Sequence, residues 1–385
     1  MNSNIRESFL QLVRLGIGHT DATDCIEICD YAALKTLAAK HGLSAVVLDG
    51  LNEVRSKSSD ARSCSLQEKI LLAEWIGEVH QFYEQRHEQY LQAISDLAGF
   101  YNSHGFKMMI LKGYACSLDW PKPNHRPCGD IDIWLFGQQK EADKVLANTN
   151  FTNNTDDALV PKTYSLSNGS RIMIDNSHHH HTVFDWQGFM VENHYDFINV
   201  HHHKSHVRLE QILKELGKDD THYVELNGEK VYLPSPNLHA LFLMKHLMLH
   251  FSTGEINLRQ LLDWGFFVRK HGMDVDWERI EKVYEQFNMK TLYGIINTIC
   301  VEELCFDASE FHFVHFEPAL KQRVFNDIMC PEFSGEMPSS LLPRLVFKYR
   351  RWKANEWKHK LCYSDSMWSA FWSGIWSHLM KPKSI

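Results

Sequence analysis

The sequence predicts an α/β protein, a small mixed sheet bearing the functional residues and flanked by helical regions on both sides. Three observations lead there. Residues 1–105 read as helix, residues 106–235 alternate short apolar runs with helical stretches, and residues 236–385 return to helix. The changes of hydrophobic period between 3.6 and 2 carry this division. At 385 residues the chain exceeds one average domain. The three stretches are therefore taken as an N-terminal helical region, a central core and a C-terminal helical region.

In the first stretch, Ser65-Leu66-Gln67-Glu68 has the pattern of a capping box. It opens a long amphipathic segment through Ile70, Leu71, Trp75, Ile76, Val79, Phe82 and Tyr83. The segment continues past Tyr90, Leu91, Ile94 and Leu97 to Gly105, a C′ candidate. In the central stretch, Met108-Met109-Ile110-Leu111 is an apolar strand, and Tyr114 to Trp120 opens a helix. Arg126 to Leu135 leads from a Gly/Pro turn into a second strand, and Gln138 to Asn148 forms a helix. Asn227-Gly228 between two alternating runs is a strong hairpin signal. Pro234-Ser235-Pro236-Asn237 marks a boundary with a helix cap, and Leu238 to Phe251 is apolar enough to be a buried helix.

Composition narrows the function classes. Hydrophobic content of 44% and charged content of 23% are ordinary for a globular protein. Forty basic against 48 acidic residues give a net charge of −8, which argues against general nucleic-acid binding. The nine cysteines form no Cys-x-x-Cys pair. Cys25 and Cys29 stand alone, with no second pair to complete a zinc site. No signal peptide opens the chain and no run reaches transmembrane length, so the expected compartment is the cytoplasm.

The central chemistry lies in Gly129-Asp130-Ile131-Asp132-Ile133-Trp134. Alternation puts Asp130 and Asp132 on one face of a strand and Ile131 and Ile133 on the other. Two carboxylates that close resist joint ionisation unless a cation sits between them. Magnesium, with its hard oxygen ligands and its habit of sharing a shell with phosphates, answers that need. Upstream, Lys112 offers a point charge for a phosphate, and Gly113 allows close backbone approach.

Leu111-Lys112-Gly113, Pro121, Arg126-Pro127 and Gly129-Asp130-Ile131-Asp132 together resemble the uncharacterised nucleotidyltransferase family, within the nucleotidyltransferase superfamily. The resemblance covers roughly 107–275 and is strongest over 111–135. In the wider superfamily the glycine is usually followed by serine or a second glycine. Here Tyr114 follows, and the spacer to Asp130 is longer; both fit the narrower family.

The resemblance implies transfer of a nucleoside monophosphate from a nucleoside triphosphate to an acceptor hydroxyl, with the acceptor and base preference left open. It implies a third carboxylate on a later strand reading Glu-x-His. That is Glu192 in Phe189-Met190-Val191-Glu192-Asn193-His194, where alternation places Glu192, His194 and Asp196 on one face. Asp175 is the runner-up, and Asp185, beside the Gln187-Gly188 hairpin tip, is set aside. Asp130, Asp132 and Glu192 would hold two Mg2+ ions, with Mn2+ as a substitute. Lys112, Gly113, Arg126 and Gly129 would meet the phosphates. His194 would orient a carboxylate or contact substrate. Leu258 to Trp264 resembles another family segment; there Arg259 is a substrate-contact candidate and is spaced i, i+4 from Asp263 for an ion pair.

Three features stay outside this scheme. His178–His181 and His201–His203 form blocks among 24 histidines. A metal role for them is disfavoured, because strand neighbours alternate faces and zinc needs at least three converging ligands. They are read as a polar face flanking the sheet, with phosphate contact by one or two rings as the other option. The segment Arg344 to Lys360 is basic and aromatic, and Trp368, Trp372 and Trp376 recur on one helical face. Core packing is preferred for that stripe over an interfacial helix on an anionic membrane. Two rival functions are carried: a nucleotide-binding module without turnover, and a membrane-associated scaffold using this tail.

Overall fold

The computed structural model describes residues 3–20, 30–57, 65–149, 172–201, 203–314, 317–333, 335, 337–369 and 372. Cys25, Cys29 and Trp376 fall outside the described residues. The protein is α/β, with a six-stranded mixed sheet among helices. It divides into two compact units whose segments interleave along the chain. One comprises Met1–Gln85, Asp119–Pro127 and Leu243–Ser364; the other comprises Arg86–Leu118, Cys128–Phe242 and Asp365–Ile385. The N-terminal and C-terminal helices thus share one unit, where sequence order had separated them.

The first unit is helical. Asp30 caps the Tyr31–Lys40 helix by accepting from the backbone of Ala32 and Ala33. Ser65 and Glu68 form the expected reciprocal capping box of the Leu66–Val79 helix. That helix does not run on regularly. A π-helical segment, His80–Gln85, follows it, and the extra residue per turn re-aims the side chains. Leu72, Trp75 and Val79 are buried, but Ile70, Ile76 and Phe82, expected on the same apolar face, are about half exposed or more. Asn257 and Gln260 make a second capping box at the start of the Leu258–His271 helix, whose Leu261, Leu262 and Trp264 are buried.

The C-terminal stripe also departs from expectation. Trp368 and Trp372 are 56% and 62% exposed, not core. The last segment of the first unit is anchored by Cys362 and Tyr363, both buried. Lys245 Nζ lies 4.3 Å above the Tyr363 ring, and Ser252 Oγ bonds the Tyr363 hydroxyl. Among the described residues no helix is long and apolar enough to cross a membrane.

The second unit is built on the sheet, with strands β1 (Met109–Ile110), β2 (Ile131–Trp134), β3 (His181–Trp186), β4 (Phe189–His194), β5 (Tyr223–Leu226) and β6 (Glu229–Tyr232) in the order β3-β4-β2-β1-β6-β5. β3 and β4 form a hairpin turned at Gln187 and Gly188, and β5 and β6 turn at Asn227 and Gly228. All four turn residues have positive φ, the backbone that such two-residue hairpins require. β2 pairs antiparallel with β1 and parallel with β4.

One face of the sheet is core. Ile110, Ile131, Ile133, Phe184, Trp186, Val191 and Val231 pack with Tyr90, Ile94, Leu97, Ala98 and Tyr101 of the Arg86–Ser103 helix and with Ala142 and Leu146 of the Gln139–Asn148 helix. Trp186 Nε1 donates to the Ala93 carbonyl at 3.0 Å. Between β3, β4 and the second helix, Asp143 accepts from Thr182 and Asn193, both at 2.8 Å. Alternation turns the intervening side chains to the other face, and there the chemistry lies.

Candidate active site

Parallel pairing of β2 and β4 places Asp132 directly beside Glu192 and Trp134 beside His194. The sequence identified these residues, but a pairing across sixty positions decides that they meet. Asp132 is 1% exposed. Its Oδ1 lies 2.9 Å from Lys112 Nζ and 3.3 Å from His194 Nε2. His194 Nε2 also approaches Glu192 Oε2 at 3.7 Å. Lys112 stands two residues past the end of β1, and the intervening Leu111 donates its backbone N–H to the Asp132 carbonyl at 2.9 Å. The lysine is thereby tied in register to the carboxylate it faces.

The charges hold one another in place. Burial would raise the Asp132 pKa, but the Lys112 ammonium and His194 keep it well below the usual carboxylate range. Burial would lower the Lys112 pKa, but Asp132, Glu192 and Asp130 carry it above the ordinary lysine value. His194 is pushed up to about 9 against its own desolvation by hydrogen bonds to Asp132 and Glu192. Around neutral pH the site therefore contains an ionised Asp132, a charged Lys112 and an imidazolium.

Two positions differ from expectation. Asp130 precedes β2 and its carbonyl accepts from the Tyr90 hydroxyl at 3.0 Å. The side chains whose placement would suit one cation are Asp132, Glu192 and His194: one donor atom of each lies within 4.8 Å of the others. Asp130 adds its field to Lys112 but is not among them. Gly113 caps a four-residue helix, Tyr114–Ser117, at φ 64°. A Cβ there would stand 2.4 Å from the Tyr90 hydroxyl, so the glycine is required by its backbone conformation and by that tyrosine. Gly129 has open space around its would-be Cβ.

The other candidates have contacts of their own. Asp175 is bridged through its backbone to Val183, and its side chain is 58% exposed and 3.7 Å from His178. Asp196 lies beyond β4 and pairs with Lys214. Asp185 accepts from Gly188 at the hairpin turn. Arg126 and Arg259 belong to the first unit. The Arg126 guanidinium is held bidentately by Asp263, at 2.7 Å from Nε and 2.9 Å from Nη2. Trp120 Nε1 donates to the same carboxylate at 2.9 Å. Asp263, expected opposite Arg259 on its own helix, has Arg126 as its partner instead, because a bidentate buried fork outcompetes an i, i+4 contact. Arg259 is half-buried, and its Cδ would stand 3.4 Å from a Cβ at Gly42.

The sequence reading missed His180 and His181. His181 starts β3 opposite His194, and its Nε2 lies 3.9 Å from Glu192 Oε1. His180 sits in the bend just before the strand, so alternation does not dictate its direction.

A family model for an uncharacterised nucleotidyltransferase matches residues 29–304. The chain belongs to that family. The match takes in every residue of the cluster around Asp132. No curated protein and no solved structure matches. Membership in the nucleotidyltransferase family assigns the chain to the transferases in general terms.

The donor set fits a divalent cation. Two carboxylates and the His194 imidazole, once deprotonated, converge on one face; Lys112 and protonated His194 offset the carboxylate charge, the role a metal takes in such sites.

Proposed function

We propose that this protein transfers a nucleoside monophosphate from a nucleoside triphosphate to an acceptor hydroxyl, with divalent metal held by Asp132 and Glu192 and assisted by Asp130. The observation that supports it most is the pairing of Asp132 with Glu192 across two parallel strands, under Lys112. Bound magnesium would neutralise the triphosphate and make the acceptor hydroxyl more acidic.

The chain's own residues supply the rest. Lys112 already balances Asp132, and its flexible ammonium can turn to an incoming phosphate as a point charge. Asp132 is buried, fixed by two donors and strongly ionised, which suits a ligand and makes it a weak base. Glu192, with 19% of its side chain exposed, is the carboxylate an acceptor can reach. It takes the acceptor proton as the new O–P bond forms at the α-phosphorus and the bond to the pyrophosphate oxygen breaks. His194, protonated between the two carboxylates, holds both in orientation and shields Asp132 from water. Tyr90, through the Asp130 carbonyl, fixes the backbone on which Asp130 and Asp132 are carried.

The test uses α-labelled nucleoside triphosphates with Mg2+ and cell extract as the acceptor source. Label should move to a macromolecule or small acceptor with wild-type protein. Asp132→Asn should lower transfer by at least about a thousandfold, since a ligand loses its charge, while circular dichroism stays unchanged. Wild-type transfer by Asp132→Asn would overturn this reading.

A further inference from the structure

We propose that His180, His181 and His194, with Glu192 as a fourth donor, form a site for a borderline transition-metal dication of the zinc class. It shares His194 and Glu192 with the carboxylate site and differs from it in drawing on His180 and His181. Ring nitrogens of the three histidines lie within 4.8 Å of one another. A tetrahedral ion with Zn–N bonds of about 2.0–2.1 Å requires ligand atoms about 3.3 Å apart, so small side-chain rotations close the shell. Glu192 borders two of the three rings, its Oε1 3.9 Å from His181 Nε2 and its Oε2 3.7 Å from His194 Nε2.

A second observation points to a ligand. The Nδ1 atoms of His180 and His181 are buried, and neither has a hydrogen-bond partner among the described residues. His181 as a whole is 6% exposed. Each unsatisfied buried polar atom costs about 1–3 kcal/mol, a cost relieved where that ring nitrogen is the one bonded to a metal.

The backbone that carries the rings is held before any ion arrives. The His180 carbonyl accepts from the backbone of both Tyr195 and Asp196, at 3.0 and 3.1 Å. The Tyr195 hydroxyl donates to the His178 carbonyl at 3.0 Å. His181 and His194 are register partners on adjacent strands. Ring centroids of His180 and His181 are 4.3 Å apart, and those of His181 and His194 are 5.2 Å apart. Imidazole donors favour zinc, cobalt, nickel and copper over magnesium, which takes oxygen. One sheet face therefore offers an oxygen-rich set and a nitrogen-rich set that share His194 and Glu192.

Co2+ is the probe, because four-coordinate cobalt absorbs visibly and its binding is read without nucleotide or acceptor. Chelator-stripped full-length protein should take up one Co2+ per chain and develop the intense visible bands of a four-coordinate ion. A large excess of Mg2+ should not displace it. His180→Ala and His181→Gln should each weaken binding by at least about a hundredfold, the upper range even for outer-shell losses, and by more than Asp132→Asn does. Absence of cobalt binding by the wild type would overturn the proposal. So would binding that survives both histidine changes and disappears in Asp132→Asn. If one histidine variant fails to fold by circular dichroism, the other decides. Mg2+-supported label transfer is measured separately, so failure here and failure of the transferase reading are told apart.

Discussion

Removing Arg126 should unfold the first unit at a markedly lower temperature, not merely weaken a phosphate contact. The Arg126 and Asp263 side chains are 7% and 9% exposed. Arg126→Ala deletes two charge-assisted bonds, of 2.7 and 2.9 Å, each with a net worth of about 1.5–3 kcal/mol. It leaves Asp263 buried with the Trp120 indole as its remaining side-chain donor shown here. Breaking a buried pair by removing one partner costs about 3–5 kcal/mol, so about 4 kcal/mol is expected. At about 2–4 °C per kcal/mol for a unit of this size, the melting temperature should fall by about 8–16 °C. Thermal melts followed by tryptophan fluorescence measure this. Arg126→Met combined with Asp263→Asn removes both charges and keeps an acceptor for Trp120, and it should recover most of the loss. If Arg126→Ala melted within about 2 °C of wild type yet lost triphosphate affinity, the arginine would be a phosphate ligand and the clamp argument would be wrong.

Other expectations concern the second unit and the tail. In chelator-treated protein, stability should peak near pH 6.5. His194, pushed up to about 9, contributes stability that is fully present below its unfolded value near 6.5 and is lost as pH rises through 9; His194→Gln should flatten that alkaline limb, worth about 3 kcal/mol at 1.36 kcal/mol per unit. Burial pushes His180 down to about 2 and His181 down to about 4, so their contribution is present above 6.5 and lost as pH falls; replacing both with Gln should flatten the acid limb in urea titrations across pH. Gly113→Ala should destabilise by about 1–3 kcal/mol through its positive φ and the Tyr90 hydroxyl, and Tyr90→Phe in the same chain should return part of that. Because Trp368 and Trp372 are exposed, replacing both with Ala should change stability by less than about 1 kcal/mol; a loss of several kcal/mol in a melt would restore the core assignment.

What the sequence disclosed depended on how local the determining physics is. The Ser65 capping box, the Asn227-Gly228 turn and the alternation of Asp132 against Ile131 and Ile133 are set within a few residues, and all are found where expected. The Asp-x-Asp motif marked Asp132, and a Glu-x-His strand marked Glu192. Their meeting was a matter of register between distant strands, which no local pattern encodes. The same holds for Asp263, whose partner Arg126 is 137 residues away. His181 was passed over because a run of four histidines on one strand would scatter its rings. The strand begins only at His181, so His180 is free of that alternation. The π-helical segment at His80–Gln85 has no strong sequence mark, and Phe82, assigned to the apolar face, lies in it.

The internal cations of the site have a thermodynamic consequence. Lys112 and the protonated His194 already occupy the positions of positive charge around Asp132. An arriving dication cannot simply be added to them; it must displace the ammonium or discharge the imidazolium. Binding is then an exchange, with a proton released to the solvent whenever His194 gives way. In calorimetry the observed heat should change with the ionisation enthalpy of the buffer, and affinity should rise with pH up to about 9.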